Sequence, residues 1–391
     1  MEKRTKKIYI LLFLLLTATV VYQACSNKTS SSGQSVEDRI NQLSKTESDA
    51  IQKARQVLTV IPDTLSSEAN PLNAAKVKLG KMLYYDTRLS RSNTISCNSC
   101  HNLATYGVDN NKTSMGHGWQ LGPRNAPTVL NVANQIDQFW DGRSPSVEAQ
   151  ATGPVGNPIE MGGAMPSNAD SQKGHLIAVE RVASIEEYQQ LFKEAFDQQK
   201  TNITLENIGI AIGAFERLLS TPAPIDKYLQ GYPDALTDQQ KSGLKTFMEV
   251  GCTTCHSGTH IGGKLYQKFG LVNGPYWKYT GSENKDTGRY DVTQKESDKY
   301  VFKVPTLRNI VHTYPYFHDG SVWQLDEAIR IMATTQLGVE LSDKQVDDLM
   351  AFMQSLTGKV NESYRILPLL PPSNKDTPKP NYEIAGNSKV E

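Results

Sequence analysis

Cys97-Asn98-Ser99-Cys100-His101 and Cys252-Thr253-Thr254-Cys255-His256 are the two strings whose residue types and spacing define a chemistry. Two thiols three positions apart can add to the two vinyl groups of one porphyrin, and the adjacent His then reaches the iron. Each string has the form of a covalent c-type haem site, and together they predict a two-haem protein. A zinc site built from both cysteine pairs would leave the following His unexplained twice. A redox disulfide would need a strand-helix-strand setting that the flanking sequence lacks.

With His101 and His256 as fifth ligands, the sixth position of each iron decides its chemistry. A tightly held ligand makes an electron carrier and a releasable one a catalyst. His and Met are the candidates. The chain holds seven histidines, the other five being His117, His175, His260, His312 and His318. His117 stands between Gly116 and Gly118, in a loop able to move, although a solvated side chain is commoner for an isolated loop His. Met332 follows Leu325, Ala328 and Ile329 on one helix face, where a core methionine fits as well. Spacing leaves both assignments open.

The elements that must position these groups read as helices. Ile208, Ala211, Ile212, Phe215, Leu218 and Leu219 recur at helical spacing from Leu205 to Leu219, and Pro222 and Pro224 end the pattern at a domain boundary. Thr237-Asp238-Gln239-Gln240 is a capping-box pattern, and the helix behind it carries Leu244, Phe247 and Met248 into the second haem string. Ser342 and Gln345 open another helix, with Val346, Leu349, Met350, Met353 and Leu356 on its apolar side and Gly358 at its stop. The Gly- and Pro-rich run from Gly153 to Pro166 reads as ordered loop around a cofactor. No sustained strand alternation is present, and no internal repeat beyond the haem strings. The fold class is mainly α, with length for two domains that each bury a core and one haem.

Four of the five cysteines belong to the haem strings, leaving Cys25. Lys3, Arg4, Lys6 and Lys7 precede an apolar run from Ile8 to Val21, short for a membrane span and right for a signal-peptide core. Export is expected. Cys25 follows Ala24 and precedes a Ser-rich stretch, as at the acylation site of a bacterial lipoprotein, although Tyr22 and Gln23 depart from the usual pattern. Several acyl chains would hold the protein to a membrane surface. Loss of residues 1–24 removes four basic groups and Glu2, so the balance of 41 basic to 41 acidic residues becomes 37 to 40. Nothing there suggests nucleic acid. The expected organisation is a signal peptide 1–24, an anchored tether and lead-in 25–70, haem domains 71–224 and 225–370, and a Pro-rich tail 371–391. Residues from about 26 to 50 and from 371 onward have too few apolar groups to fold alone.

The strings Ser96 to Asn102, Gly116-His117-Gly118-Trp119-Gln120, Gly122-Pro123-Arg124-Asn125, Phe139-Trp140-Asp141-Gly142-Arg143, Phe302 to Asn309, Tyr314 to Gly320 and Gln336-Leu337 resemble the bacterial di-haem cytochrome c peroxidases. The resemblance runs in order from roughly Leu72 to Gly358, with both haem sites in register. It implies two cytochrome c-like domains, a peroxidatic haem in the first and an electron-transfer haem in the second. His101 and His256 match the proximal ligands, His117 the distal His of the resting state, and Met332 the axial Met of the second haem. Thioether ligation favours Fe(II), which suits a haem that stores an electron.

Further roles rest on the resemblance alone. Glu160 matches the catalytic carboxylate, Gln150 an amide that assists it, and Trp140 a residue on the path between the haems. Asn125, Thr313 and Pro315 match the ligands of one calcium ion, for which oxygen donors are suited. His318 is either a coupling residue of the second haem or a plain loop residue. The implied substrate is hydrogen peroxide, the donor a reduced cytochrome c or cupredoxin, the assembly a homodimer, and the location periplasmic. Two rivals stand beside this reading. A two-haem electron carrier would need neither a mobile His loop nor Glu160. A related enzyme that oxidises tryptophans of a partner protein has Tyr where Met332 stands, so the Met argues against it.

Overall fold

The computed structural model describes residues 34–163, 171–196 and 203–383. Cys25 and the expected signal peptide lie outside them. The chain forms two helical bundles, each with its own buried core. Among the described residues no helix is long and apolar enough to cross a membrane.

Helices α1 (Val36–Asn41) and α2 (Lys45–Val57) start at Ser35 and Ser44, whose side chains accept from the backbone N–H groups of Asp38 and Glu47. Their Ile40, Ile51 and Ala54 enter the core of the second bundle. Residues 36–57 are therefore folded, which corrects the expectation of a polar tether. The few apolar side chains share one face, and the rest of the chain supplies the surface that buries it.

The first bundle contains α3 (Ala74–Tyr85), α4 (Cys97–Cys100), α5 (Val147–Gly156), α6 (Ser171–Ala183), α7 (Glu186–Ala195) and α8 (Leu205–Glu216). The second contains α9 (Pro224–Leu229), α10 (Asp238–Val250), α11 (Leu325–Met332) and α12 (Asp343–Ser355). Strands β1 (Tyr266–Lys268) and β2 (Val301–Lys303) pair antiparallel, Tyr266 opposite Lys303. Thr237 and Gln240 bond reciprocally at the start of α10, as do Ser342 and Gln345 at α12. Pro224 does not merely end a pattern, since its fixed φ opens α9. Gly153 lies in the last turns of α5 and a turn follows through Met161, so the expected loop begins later than Gly153.

One packing device occurs twice. The helix entering each haem string crosses the last helix of its bundle at a glycine. A Cβ on Gly80 of α3 would stand 1.8 Å from the Ala211 carbonyl oxygen of α8, and one on Gly243 of α10 the same 1.8 Å from the Asp348 oxygen of α12. The two bundles thus share an architecture that no sequence repeat announced. Gly243→Ala should destabilise the two-haem protein by about 1–3 kcal/mol, because overpacking outweighs the better helix propensity of Ala. A denaturant midpoint equal to wild type would contradict this contact.

Buried polar groups tie segments within and between the bundles. Inside the second, Arg308 and Asp226 pair at 2.8 Å, with side chains 0% and 3% exposed. Arg124 of a first-domain loop bonds Asp286 through Nε and Nη2 and also reaches Asp141. Tyr106, just past the first haem string, stacks on His312 with ring centroids 4.0 Å apart. Residues 371–383 also fold back onto the first bundle, where Arg88 Nη1 donates to Pro371 O at 2.7 Å and Thr377 is buried. The tail expectation is corrected for these residues: hydrogen bonds to their backbone carbonyls and polar side chains hold them.

Candidate functional site

At the first haem string, Ser96 caps the turn of α4 and His101 follows it directly. His101 Nδ1 lies 3.0 Å from Pro127 O, and donation to that carbonyl leaves Nε2 free for iron. Tyr84 donates its hydroxyl to His101 O, fixing the backbone beneath the ring. Desolvation holds the His101 pKa below its usual range, which keeps the imidazole neutral as a ligand must be. Burial pushes the Cys97 thiol up strongly, and the Cys100 thiol to about 11. Raised thiols are the opposite of a reactive redox pair and fit cysteines whose sulfurs become thioethers.

The turn around His117 packs on the turn around Glu160. His117 N donates to Ile159 O at 2.8 Å and shares Glu160 O at 3.0 Å. Both turns need glycine for this approach: a Cβ on Gly116 would meet Ile159 O at 2.0 Å, and one on Gly162 would meet the His117 ring at 2.6 Å. His117 is 2% exposed, so the solvated-loop reading fails. Asn157 Nδ2 holds Glu160 Oε1 at 3.0 Å, and desolvation raises the Glu160 pKa against the opposing pull of Arg143. Glu160 also adds to the raising of the Cys100 thiol by its charge. Gln150 lies half-buried on α5, which leads into this turn.

At the second string, His256 Nδ1 faces Ile261 O at 3.4 Å and desolvation pulls the His256 pKa down to about 4. Cys252, Cys255, His256 and Met332 line one large, mainly apolar cavity with Phe247 of α10 and Met353 of α12. Met332 ends α11, where the helix widens into a π turn over Ala333–Leu337, an irregularity frequent at functional sites. An apolar chamber lined by a neutral His and a thioether offers donors of the kind a haem with two axial ligands would take. The first string offers the same attachment chemistry with a prepared proximal His. The residues present therefore fit two haem c groups.

Trp140 lines the cavity of the second string. Its Nε1 donates to Asn125 O at 2.9 Å, and its carbonyl accepts from Lys303 N of β2 at 2.8 Å. Asn125, Thr313 and Pro315 line the same cavity as Trp140. Asn125 Nδ2 donates to Asn111 O, and Asn110 Nδ2 takes the carbonyls of His312 and Tyr314, which flank Thr313. Among the described residues no group of three or more His, Cys, Asp or Glu side chains is placed to hold a metal ion. His318 is not a surface loop residue: it is 2% exposed and stacks on Phe302 at 4.1 Å, edge-on to Tyr276 and Trp140. Tyr276 is core, whereas Tyr279 is exposed.

Sequence reasoning missed Glu216. This α8 carboxyl is buried, and desolvation, reinforced by Glu148, pushes its pKa up to about 8. A carboxyl with a raised folded pKa keeps its proton in the native state while the unfolded chain loses it. Its share of stability is present below the ordinary Glu range and is lost as pH rises to about 8. Glu216→Gln should remove this loss, and melting curves from pH 5 to 9 should converge at the acid end and separate at the alkaline end, the variant higher. Parallel curves would contradict it.

The sequence model of di-haem cytochrome c peroxidase matches residues 74–234, and that of cytochrome c matches residues 240–357. A cytochrome c551 peroxidase of Pseudomonas aeruginosa is 43% identical over 330 residues, covering 84% of this chain and 91% of that protein. A cytochrome c551 peroxidase of Nitrosomonas europaea is 46% identical over 310 residues, covering 79% and 87%. The crystal structure of a MauG-like protein associated with microbial copper homeostasis superposes with TM-score 0.67 at 27% identity, covering 79% of this chain and 97% of that one. Two cytochrome c-type regions with this arrangement define a di-haem redox enzyme. The chain belongs to the di-haem cytochrome c peroxidase family, carries two haem c groups, and is a peroxidase.

Proposed function

We propose that the chain reduces hydrogen peroxide to water at the first haem with electrons delivered through the second, and that reduction of the second haem releases His117. The net reaction takes one peroxide, two electrons and two protons to two waters. When bound, the first haem supplies the iron at which the O–O bond breaks, and the second stores an electron.

The chain's own residues handle protons and access. Glu160 takes the proton of the peroxide oxygen nearest the iron and returns it to the departing oxygen, a transfer that needs a pKa raised toward neutrality. Asn157 holds Glu160 Oε1, leaving Oε2 for the substrate. Gln150 assists from α5. Trp140 bridges the domains through hydrogen bonds on both sides and lies on the electron path. The observation that carries the reading is the joint packing of the His117 and Glu160 turns, which allows one movement to open the iron and present the carboxyl.

Calcium is proposed at the junction, on Asn125 Oδ1 and the carbonyls of Thr313 and Pro315, hard donors on the wall that also carries Trp140. The proposed donor is a small periplasmic cytochrome c or copper protein. Acylation at Cys25 would keep the enzyme near membrane-linked donors, and a second copy would complete a homodimer. His117→Gly tests the gate. The fully oxidised variant should consume peroxide without prior reduction, and a variant that still requires reduction would reject it.

A further inference from the structure

His117 Nε2 lies 2.9 Å from the backbone oxygen of Glu383. His117 Nδ1 is buried and has no hydrogen-bond partner, so the ring is tied through Nε2 alone. We infer that residues 371–383 are a positioning strap that catches His117 when it is off the iron, with Arg181 as the group that seats the strap. This inference rests on the proposed gate and adds to it the part of the chain that receives the released side chain.

Arg181 of α6 is 1% exposed, yet its guanidinium donates only to backbone oxygens. Three belong to the segment beside the first haem string, at Arg88, Ser90 and Arg91, and two to the strap, at Pro378 and Lys379. A planar fork of five N–H groups can join two backbone segments in this way, and Lys cannot. Ser184, one turn later, bonds Thr377 side chain to side chain at 2.9 Å, and Asn374 Nδ2 donates to Ser184 O. Beyond Arg181, Asn381 N donates to Arg91 O at 3.0 Å, and Asn381 Oδ1 accepts from Glu383 N at 2.8 Å. The bond to His117 is the last of this series. The Arg91–Glu383 ion pair at 3.6 Å has an exposed carboxylate and adds little.

With Nε2 as the iron's ligand, the catch and the iron would compete for one nitrogen, and the strap would stabilise the open state by the worth of its bond to His117. A hydrogen bond of ordinary strength corresponds to about a three- to tenfold shift in the ratio of His117-ligated to released enzyme. The test is electron paramagnetic resonance of the half-reduced two-haem protein, which separates low-spin from high-spin iron. A chain ending at Asn381 loses the catch but keeps every Arg181 bond, and Arg181→Lys loses the seat. Both should raise the ratio of low-spin to high-spin first haem about three- to tenfold. In a His117→Gly background neither change should move the spin state, which a merely structural effect would still do. If His117→Gly removes the low-spin signal of the first haem in oxidised enzyme, leaving that of the second, but the shortened chain matches wild type, the strap is wrong and the gate stands. If His117→Gly leaves the oxidised spectrum unchanged, gate and strap are both overturned.

Discussion

Glu160→Gln should lower peroxide turnover by about 10²–10⁴-fold while leaving KM for peroxide and the absorbance of both haems near wild type. The amide keeps the shape of the side chain and its place beside Asn157, so the packing of the two turns is retained. It cannot accept a proton from peroxide and return it. Desolvation already raises the Glu160 pKa, the direction that brings a carboxyl nearer to the pH at which it must exchange protons. The loss should appear in kcat because the proton is transferred in the transition state, not on binding. A decrease smaller than about threefold would remove Glu160 from the chemistry.

Asp226→Ala should destabilise the protein by about 3–5 kcal/mol, the largest stability effect expected from one side chain here. Asp226 Oδ1 accepts from Ile61 N and Arg308 Nη2, both at 2.9 Å, and Oδ2 from Ala223 N and Arg308 Nη1, both at 2.8 Å. One carboxylate thus ties the lead-in, the segment between the bundles and the second haem domain. Truncation strands the Arg308 guanidinium, which is 1% exposed as a residue and has no second carboxylate on its bonded partners. Chemical denaturation of the two-haem protein measures this. A midpoint within experimental error of wild type would show that solvent or another acid replaces Asp226.

What could be read from the sequence was local or covalent. The haem strings needed only their own five residues each, and the capping boxes at Thr237 and Ser342 only their own turns. Met332, His117 and Glu160 could be assigned by resemblance but not by spacing, because what distinguishes them is the cavity or turn that other segments build around them. The glycine crossings were hidden, since the absence of a Cβ at Gly80 or Gly243 means something only when the facing carbonyl is known. The first helices did leave a signal: Ser35 before Asp38 and Ser44 before Glu47 are N-cap patterns that low apolar content outweighed. The strap left none. Its anchors are backbone oxygens bound by an arginine nearly two hundred residues earlier in the chain, and neither composition nor periodicity registers such a contact.

The most direct measurement is steady-state peroxide turnover by the purified two-haem protein with calcium and a reduced cytochrome c, fully oxidised against half-reduced. Turnover that appears only after half-reduction is the predicted result. Turnover in both states would keep the peroxidase and remove the gate, and none in either state, with both haems intact and several donors tried, would contradict the account.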